Sequence, residues 1–161
     1  MAIGSGAPSV TGNDNIAIGQ ETLNSLTTAG QNIAIGYRSM YKTNTEENTA
    51  IGHLSMFENT GGRYNAAIGF KAGYDNTTGD YNTFLGYNAT ASSGNLTNAT
   101  AIGNGAIVTA SNTMQLGNAN VTSVKTSGAF NAPVYSSSPV ALTAGTTITW
   151  APMSGLNASV T

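Results

Sequence analysis

Cysteine is absent from this chain of 161 residues, and charged residues account for only 7 % of it. Without cysteine, neither a disulfide framework nor a thiolate metal site is available. An average soluble domain is roughly 25 % charged, so Asn, Thr and Ser must supply most of the polarity that faces solvent. The net charge of −2 provides neither a basic surface nor an acidic tail, which argues against a nucleic-acid partner.

Long apolar runs are missing as well. No stretch approaches the roughly 20 residues that cross a bilayer, so we expect no membrane insertion. Residues 1–8 have neither the positive segment nor the apolar segment of a secretory signal. With 40 % hydrophobic residues, however, the chain is too apolar for a disordered Ser/Thr-rich stalk. Its Thr and Asn content is typical of strands joined by tight turns.

A short phrase, Ala-Ile-Gly or a close variant, returns along the chain. Its glycine falls at Gly4, Gly19, Gly36, Gly52, Gly69, Gly86, Gly103 and Gly117. The gaps between these glycines are 15, 17, 16, 17, 17, 17 and 14 residues. Such spacing indicates structural units stacked one on another, and it favours a building block over an enzyme.

Each unit, aligned on its glycine, predicts one short strand. The residue directly before the glycine is bulky and apolar, and we expect these residues to form one in-register core row: Ile18, Ile35, Ile51, Ile68, Leu85 and Ile102. The fourth residue before the glycine predicts a hydrogen-bonded asparagine ladder: Asn15, Asn32, Asn48, Asn65 and Asn82. A weaker second strand is expected around Leu23, Met40 and Met56. The glycine itself is expected where the chain bends sharply or where backbones approach closely.

Aromatic residues recur in phase with the repeat. One set directly follows the glycine, at Tyr37, Phe70 and Tyr87, and a second lies five residues after it, at Tyr41, Phe57 and Tyr74. His53, the only histidine, occupies the first set, and a flat side chain in that column is its simplest interpretation. Tyr64, Tyr74 and Tyr81 are candidates for stacking on the sugars of a host glycan. The alternative is that they cover the edges of the fold and stack on each other.

The uneven gaps favour an assembly of several chains. A single-chain coil needs a constant register, which gaps slipping from 17 to 14 residues would not hold. Two short strands per unit also supply only half a core. The sequence therefore predicts an all-β fold, a parallel β-roll or β-helix of ~14–17-residue repeats in an intertwined homotrimer, followed by a short β connector.

The repeats resemble those of two families. Asn-Thr-Ala-Ile-Gly at 48–52 and Tyr-Asn-Thr-Phe-Leu-Gly-Tyr at 81–87 are similar to the head repeats of trimeric autotransporter adhesins. The segment 74–87 looks more like the longer, aromatic-bearing repeat of phage tail fibres. The resemblance covers roughly residues 1–118. It implies a left-handed, trimeric parallel β-roll that serves as a rigid spacer or a receptor-binding head.

The period is lost beyond Asn118. We therefore divide the chain into a repeat β-roll, residues 1–118, and a β-rich connector, residues 119–161. Within the connector, 121–125 is expected to be a strand leaving the roll, and 141–150 a hairpin or two short strands. The run 142–150 is also similar to connector segments of phage tail fibres.

No catalytic, cofactor-binding or metal-binding residues are predicted. The leading hypothesis is a non-enzymatic structural and adhesive protein, a trimeric phage tail fibre on the virion exterior. Its partners would be other fibre or tail proteins and a host surface glycan or protein receptor. The alternatives are a bacterial cell-surface adhesin and, less favoured, a glycan-cleaving fibre that uses Asp75 or Asp80, which would need two carboxylates about 5–10 Å apart.

Overall fold

Short parallel strands, each two or three residues long, stack to form the body of the protein. The computed structural model describes residues 2–3, 12–125 and 127, and of residues 2–3 only the backbone. This part of the chain is all-β, contains no helix and forms a β-solenoid of about six turns. The strands are β1 (Ala2–Ile3), β2 (Ile16–Ile18), β3 (Ile33–Ile35), β4 (Thr49–Ile51), β5 (Ala66–Ile68), β6 (Thr83–Leu85), β7 (Thr90–Ala91), β8 (Thr100–Ile102), β9 (Ile107–Val108) and β10 (Met114–Leu116).

A single chain keeps its strands in register throughout this stack. Eight strands form a parallel sheet in the order β1-β2-β3-β4-β5-β6-β8-β10, and β7 pairs with β9 in a second, two-stranded sheet. Ala34 pairs with Ala17 on one side and with Ala50 on the other, although the two gaps differ by one residue. The prediction that uneven gaps would prevent a single-chain coil is therefore wrong, because the turns between strands absorb the difference.

The prediction of the core row is wrong, because the residues of that row point out of the solenoid. In the three-residue strands β2 to β6 and β8, the middle residue points into the solenoid and its two neighbours point outward. The buried row consists of Ala17, Ala34, Ala50, Ala67, Phe84 and Ala101. The row predicted to be the core lies on the outer face, at Ile18, Ile35, Ile51, Ile68, Leu85 and Ile102. Alanine suits the inner position because the opposite wall of the coil approaches closely and brings the larger side chains.

That opposite wall supplies Leu23, Met40 and Met56, all fully buried. A second strand was expected here, but these residues lie in turns and have positive φ, 51°, 50° and 50°. Their N–H groups still bond to the next coil, for example Met40 N–H to the Ser55 carbonyl at 2.9 Å. The wall is thus a hydrogen-bonded ladder without extended strands, except at β7 and β9.

The repeated glycine ends each strand at a bend where two coils nearly touch. Gly69 has φ +134°, and a Cβ atom there would lie 2.5 Å from the carbonyl oxygen of Gly86 in the next coil. A side chain would therefore meet both an unfavourable backbone angle and a steric clash. This accounts for the return of glycine at the same place in every coil.

A buried asparagine ladder runs along the corner that precedes the strands. The Oδ1 atom of Asn65 accepts the backbone N–H of Asn82 at 2.8 Å, and its Nδ2 donates to the Gly79 carbonyl at 2.8 Å. Nδ2 of Asn65 also donates to Oδ1 of Asn48 at 3.2 Å. The same pattern links Asn15, Asn32, Asn48, Asn65 and Asn82. The ladder ends at Ala99. The N–H of Ala99 donates to Oδ1 of Asn82 at 2.8 Å, but alanine has no side-chain amide that could bond to the next coil.

Beyond β10, the described chain forms no further strand. Residues 121–125, expected to be a strand, form none and are exposed. One unit of the structure spans Met1–Val124, and a second spans Lys125–Thr161. The expected hairpin at 141–150 lies outside the described residues.

Candidate functional site

The outer face of the large sheet carries an uncharged apolar stripe. We call it the isoleucine stripe and define it by Ile18, Ile35, Ile51, Ile68, Leu85 and Ile102. Its members Ile51, Ile68 and Leu85 remain 37 %, 45 % and 44 % exposed. The other outward strand residues, such as Ile16, Thr49 and Met114, are also uncharged. Ile18, Ile35 and Ile102 are half-buried. A continuous row of partly exposed apolar side chains is typical of a surface that another protein covers.

A first aromatic column borders this stripe. His53 lies between Tyr37 and Phe70, with ring centroids 5.0 Å and 5.2 Å apart and edge-to-face geometry. Phe70 then stacks on Tyr87 at 5.2 Å. His53 thus lies among rings, as its position in the repeat suggested. Contacts of this kind add about 0.5–1.5 kcal/mol per pair beyond the area they bury.

A second aromatic column lies nearby, and cations link the two. Phe57 stacks on Tyr41 at 5.1 Å and on Tyr74 at 5.5 Å. The Lys71 ammonium lies 5.7 Å from the Phe70 ring centroid and 5.3 Å from that of Tyr74. Arg38 sits similarly over Tyr37 and Tyr41. Sequence reasoning missed these cations, although their position two residues after the glycine could have identified them.

Tyr64 and Tyr81 form a separate, exposed pair. Their rings stack at 4.8 Å with an interplanar angle of 7°. A hydrogen bond with the Glu47 carboxylate, reinforced by its negative charge, raises the pKa of Tyr64 above 10.0. Both tyrosines have φ +59°, a left-handed conformation that is rare for large side chains. Of the three candidate sugar-stacking residues, the structure therefore pairs Tyr64 with Tyr81 and places Tyr74 in the second aromatic column.

The charged side chains mostly join neighbouring coils. Ion pairs link Arg38 to Glu21 at 2.7 Å, Lys42 to Glu58 at 2.6 Å and Arg63 to Glu46 at 2.8 Å. The hydrogen bond from Arg38 to the Glu21 carboxylate raises the pKa of Arg38 above its usual value. All six side chains are more than a quarter exposed, so each pair contributes little to stability.

The carboxylates considered for glycan cleavage accept hydrogen bonds from their own chain. Asp80 Oδ1 accepts the Arg63 N–H at 2.8 Å, and Asp75 Oδ2 accepts from the Thr90 hydroxyl at 3.3 Å. Both bonds connect adjacent coils, which gives these side chains a place in the stack. Within residues 12–125, no three His, Asp or Glu side chains gather where they could hold a metal ion.

A shallow depression at the far end of the sheet was not foreseen from the sequence. Its volume is about 210 Å³, and it is lined by Asn98, Thr100, Asn112, Thr113 and Met114. Asn98 and Asn112 precede the ladder corner of their coils, the position that Tyr64 and Tyr81 occupy in theirs. An alignment of the units on the residue before the ladder position could have located this depression from the sequence.

Comparison of the chain with family models, with curated proteins and with solved structures finds no match. Among the described residues, no helix has the length and apolar character needed to cross a membrane. The geometry of the solenoid and its outer face therefore carries the functional proposal.

Proposed function

We propose that this chain is a structural and adhesive fibre protein that assembles as a homotrimer and presents a receptor-binding surface. The observation that carries the proposal is the isoleucine stripe, an uncharged apolar row exposed along a regular parallel sheet. The solenoid satisfies its own backbone hydrogen bonds from coil to coil, so the stripe is not needed to complete the single-chain core. Its exposure is instead the expected state of an interface before assembly.

Identical chains are the most suitable cover for this stripe. Its apolar residues repeat at the spacing of neighbouring strands, about 4.7–4.9 Å. A partner that matches every position must repeat at the same spacing, and another copy of the chain does so by construction. Closed rotational symmetry would then bury all copies of the stripe around one axis and leave none exposed. The resemblance to trimeric fibre repeats favours three copies over two.

The proposed role is that of a phage tail fibre, which the resemblance of the repeats supports. A rod of stacked coils with few charges and a dense hydrogen-bonded corner suits a rigid spacer, and its aromatic columns suit a contact surface outside the cell. The proposed partners are therefore other fibre or tail proteins and a host surface glycan or protein receptor. A bacterial surface adhesin with the same architecture is the alternative, with the same trimer.

Oligomeric mass tests this proposal. Light scattering on the full chain is expected to give about three times 16.3 kDa. Ile68→Asp should give a folded monomer, because a charge on the stripe cannot be buried between copies without a large cost. Thr78→Asp places the same charge on an exposed turn residue and should leave the trimer intact.

Circular dichroism separates failed assembly from failed folding. Ile68→Thr provides a milder polar change should the aspartate variant be insoluble. A monomeric wild-type chain, or a trimer that persists in both Ile68 variants, would contradict the proposed interface.

A further inference from the structure

We propose that the Lys71 ammonium, on the wall opposite the large sheet, binds the carboxylate of an acidic sugar unit in a glycan, with the Tyr74 ring beside it. The ligand class is a pyranose that carries one carboxylate, such as a hexuronate or a sialate. This inference deepens the proposed adhesive function by naming the class of receptor, and it rests on that function for its biological role.

Lys71 differs from the other cations of the coils because it has no acidic partner. Arg38, Lys42 and Arg63 each form an ion pair with a carboxylate of a neighbouring coil. Within residues 12–125, Lys71 forms no ion pair, and its ammonium lies 5.3 Å and 5.7 Å from the centroids of two aromatic rings. Those rings hold the charge in place without neutralising it, so it can attract an anion from outside the chain.

The neighbouring coils explain why Lys71 is unpaired. Arg38 and Lys71 both lie two residues after the repeated glycine, and both have φ 52°. In the coil before Arg38 this position is Glu21, whose carboxylate accepts from Arg38 at 2.7 Å. In the coil before Lys71 it is Leu54, which has no acceptor group. In the coil after Lys71 it is Asn88, which is uncharged. The column therefore pairs Arg38 and leaves Lys71 without a counter-ion.

Lys71 lies on the side of the coil that the proposed trimer leaves open. Lys71 and Tyr74 are half-buried, whereas Ala72 and Gly73 between them are buried. A Cβ atom on Gly73 would meet the inward-pointing ring of Phe84, so these two buried residues face the large sheet. The isoleucine stripe is on the other side of that sheet. Copies of the chain that cover the stripe would therefore not cover the Lys71 ammonium.

The Tyr74 ring beside the ammonium is stacked on one face only. Phe57 stacks on that face at 5.5 Å. The hydrogen bond from the Gly73 N–H to the Ala89 carbonyl places Ala91 at the next position of this column. Among the described residues, no ring therefore continues the stack beyond Tyr74. The C–H face of a pyranose can pack on a ring placed in this way while the sugar carboxylate reaches Lys71.

The surrounding charges favour a ligand with a single carboxylate. Glu58 pairs with Lys42, and Asp75 accepts the Thr90 hydroxyl at 3.3 Å, so this wall is not broadly positive. A densely charged polyanion would be repelled by these two carboxylates, and a neutral sugar would leave Lys71 without a partner. An ion pair at a half-exposed site contributes little by itself. The ring must supply further affinity, which favours an acidic sugar over a flexible acidic side chain.

Titration with matched small molecules, followed by NMR, tests the site. The full chain, labelled with ¹³C and ¹⁵N, would be titrated with D-glucuronate and with N-acetylneuraminate. At least one of them should shift the side-chain signals of Lys71 and the ring signals of Tyr74 in a saturable manner. D-glucose has the ring without the charge, and acetate has the charge without the ring. Both should bind more weakly, as should an acetylated Gly-Glu-Gly amide, which represents an acidic protein partner.

Four variants connect binding to the free charge of Lys71. Lys71→Met should weaken acidic-sugar binding about tenfold or more, because it removes a charged partner but keeps the stem. Lys71→Arg keeps the charge and should retain binding. Leu54→Glu supplies the partner that Glu21 provides for Arg38, and it should weaken binding as strongly although Lys71 is still present. Arg38→Met removes a cation that is already paired and should leave binding unchanged. Circular dichroism should show the same unfolding midpoint, within error, for both methionine variants.

Light scattering on the same samples separates this proposal from the trimeric fibre. A trimer in which neither acidic sugar shifts Lys71 and Tyr74 would overturn the site and leave the fibre proposal standing. Saturable shifts in a monomer would keep the site and overturn the trimer. Shifts that persist in Lys71→Met, or binding of acetate, glucose or the peptide as tight as that of the acidic sugars, would overturn the assignment to an acidic sugar.

Discussion

A Cβ atom on Gly73 would lie 2.6 Å from Cδ2 of Phe84, so the phenyl ring fills the space that a side chain at position 73 would need. Phe84 stands in the inward row, where strands β2 to β5 and β8 have alanine, and it is fully buried. Gly73 stands on the opposite wall, where earlier coils have leucine or methionine. A large residue on one wall is thus matched by the smallest residue on the other.

This relationship predicts strong coupling between the two positions. Phe84→Ala is expected to lower the free energy of unfolding by about 3–5 kcal/mol, because the ring leaves a cavity. Adding Gly73→Met should recover part of that loss. Methionine can adopt the required backbone, since Met40 and Met56 have φ 50° at the same position of their coils and Gly73 has φ 61°.

A double-mutant cycle measured by urea unfolding gives the coupling. Gly73→Met alone should destabilise the fold by about 1–3 kcal/mol through overpacking against the ring. The coupling energy should then fall within about 0.5–3 kcal/mol and favour the double variant. Additive effects of the two changes would show that Phe84 does not fill the space above Gly73.

The asparagine ladder predicts a second large effect. Asn65 is 2 % exposed, and Asn65→Ala would leave the N–H of Asn82 without its partner, whereas the Gly79 carbonyl would keep the hydrogen bond from Asn76 Nδ2. A loss of about 1–3 kcal/mol is expected, since that is the cost of one buried group left unpaired. Urea unfolding followed by circular dichroism measures it.

Asn104→Ala is the matched control for the ladder. Its side chain is exposed, so the change should stay within about 0.5 kcal/mol of the wild-type stability. Equal effects of the two substitutions would mean that the ladder amides contribute no more than surface asparagines.

The strand register and the positions of the glycines could be predicted from the sequence. Which face of each strand is buried could not. In a segment such as Thr49-Ala50-Ile51, alternation separates alanine from isoleucine without stating which one is inside. Hydrophobicity alone favours the isoleucine. The inner position takes alanine because Met56 and its equivalents arrive from the opposite wall, and those residues have a backbone conformation that strand propensity does not foresee.

The pairing of Tyr64 with Tyr81 could not be predicted from the sequence pattern either. Tyr64 and Tyr74 look alike in sequence, each beside a turn. Only the backbone separates them, since Tyr64 has φ +59° in a corner column and Tyr74 stacks on Phe57. Composition therefore identified candidate sugar-stacking residues, whereas the coil geometry showed which of them share a surface.

The contact between Tyr64 and Glu47 predicts a dependence on pH. Because the carboxylate raises the pKa of Tyr64, the protonated phenol is favoured in the folded state. The resulting stability is fully present below the unfolded pKa of about 10 and is lost as pH rises through the higher folded pKa. An NMR titration of the tyrosine ring signals should place Tyr64 above 10.0.

Glu47→Gln provides the comparison for that titration. It removes the negative charge while keeping a side chain of similar size, so the pKa of Tyr64 should fall toward its ordinary value. An unchanged pKa in this variant would assign the shift to a cause other than Glu47.

Adjacent residues of β4 offer a direct test of which face is inside. Ala50 is fully buried, and Thr49 beside it points outward. Ala50→Leu should destabilise the protein by about 1–3 kcal/mol or more, because the closed wall has no room for the added carbons. Thr49→Leu introduces the same side chain on the outer face and should change the unfolding free energy by less than about 0.5 kcal/mol. Urea unfolding at equal protein concentration compares the two variants. If Thr49→Leu were the damaging change and Ala50→Leu the harmless one, the isoleucine stripe would be the core of the solenoid and the proposed interface would disappear with it.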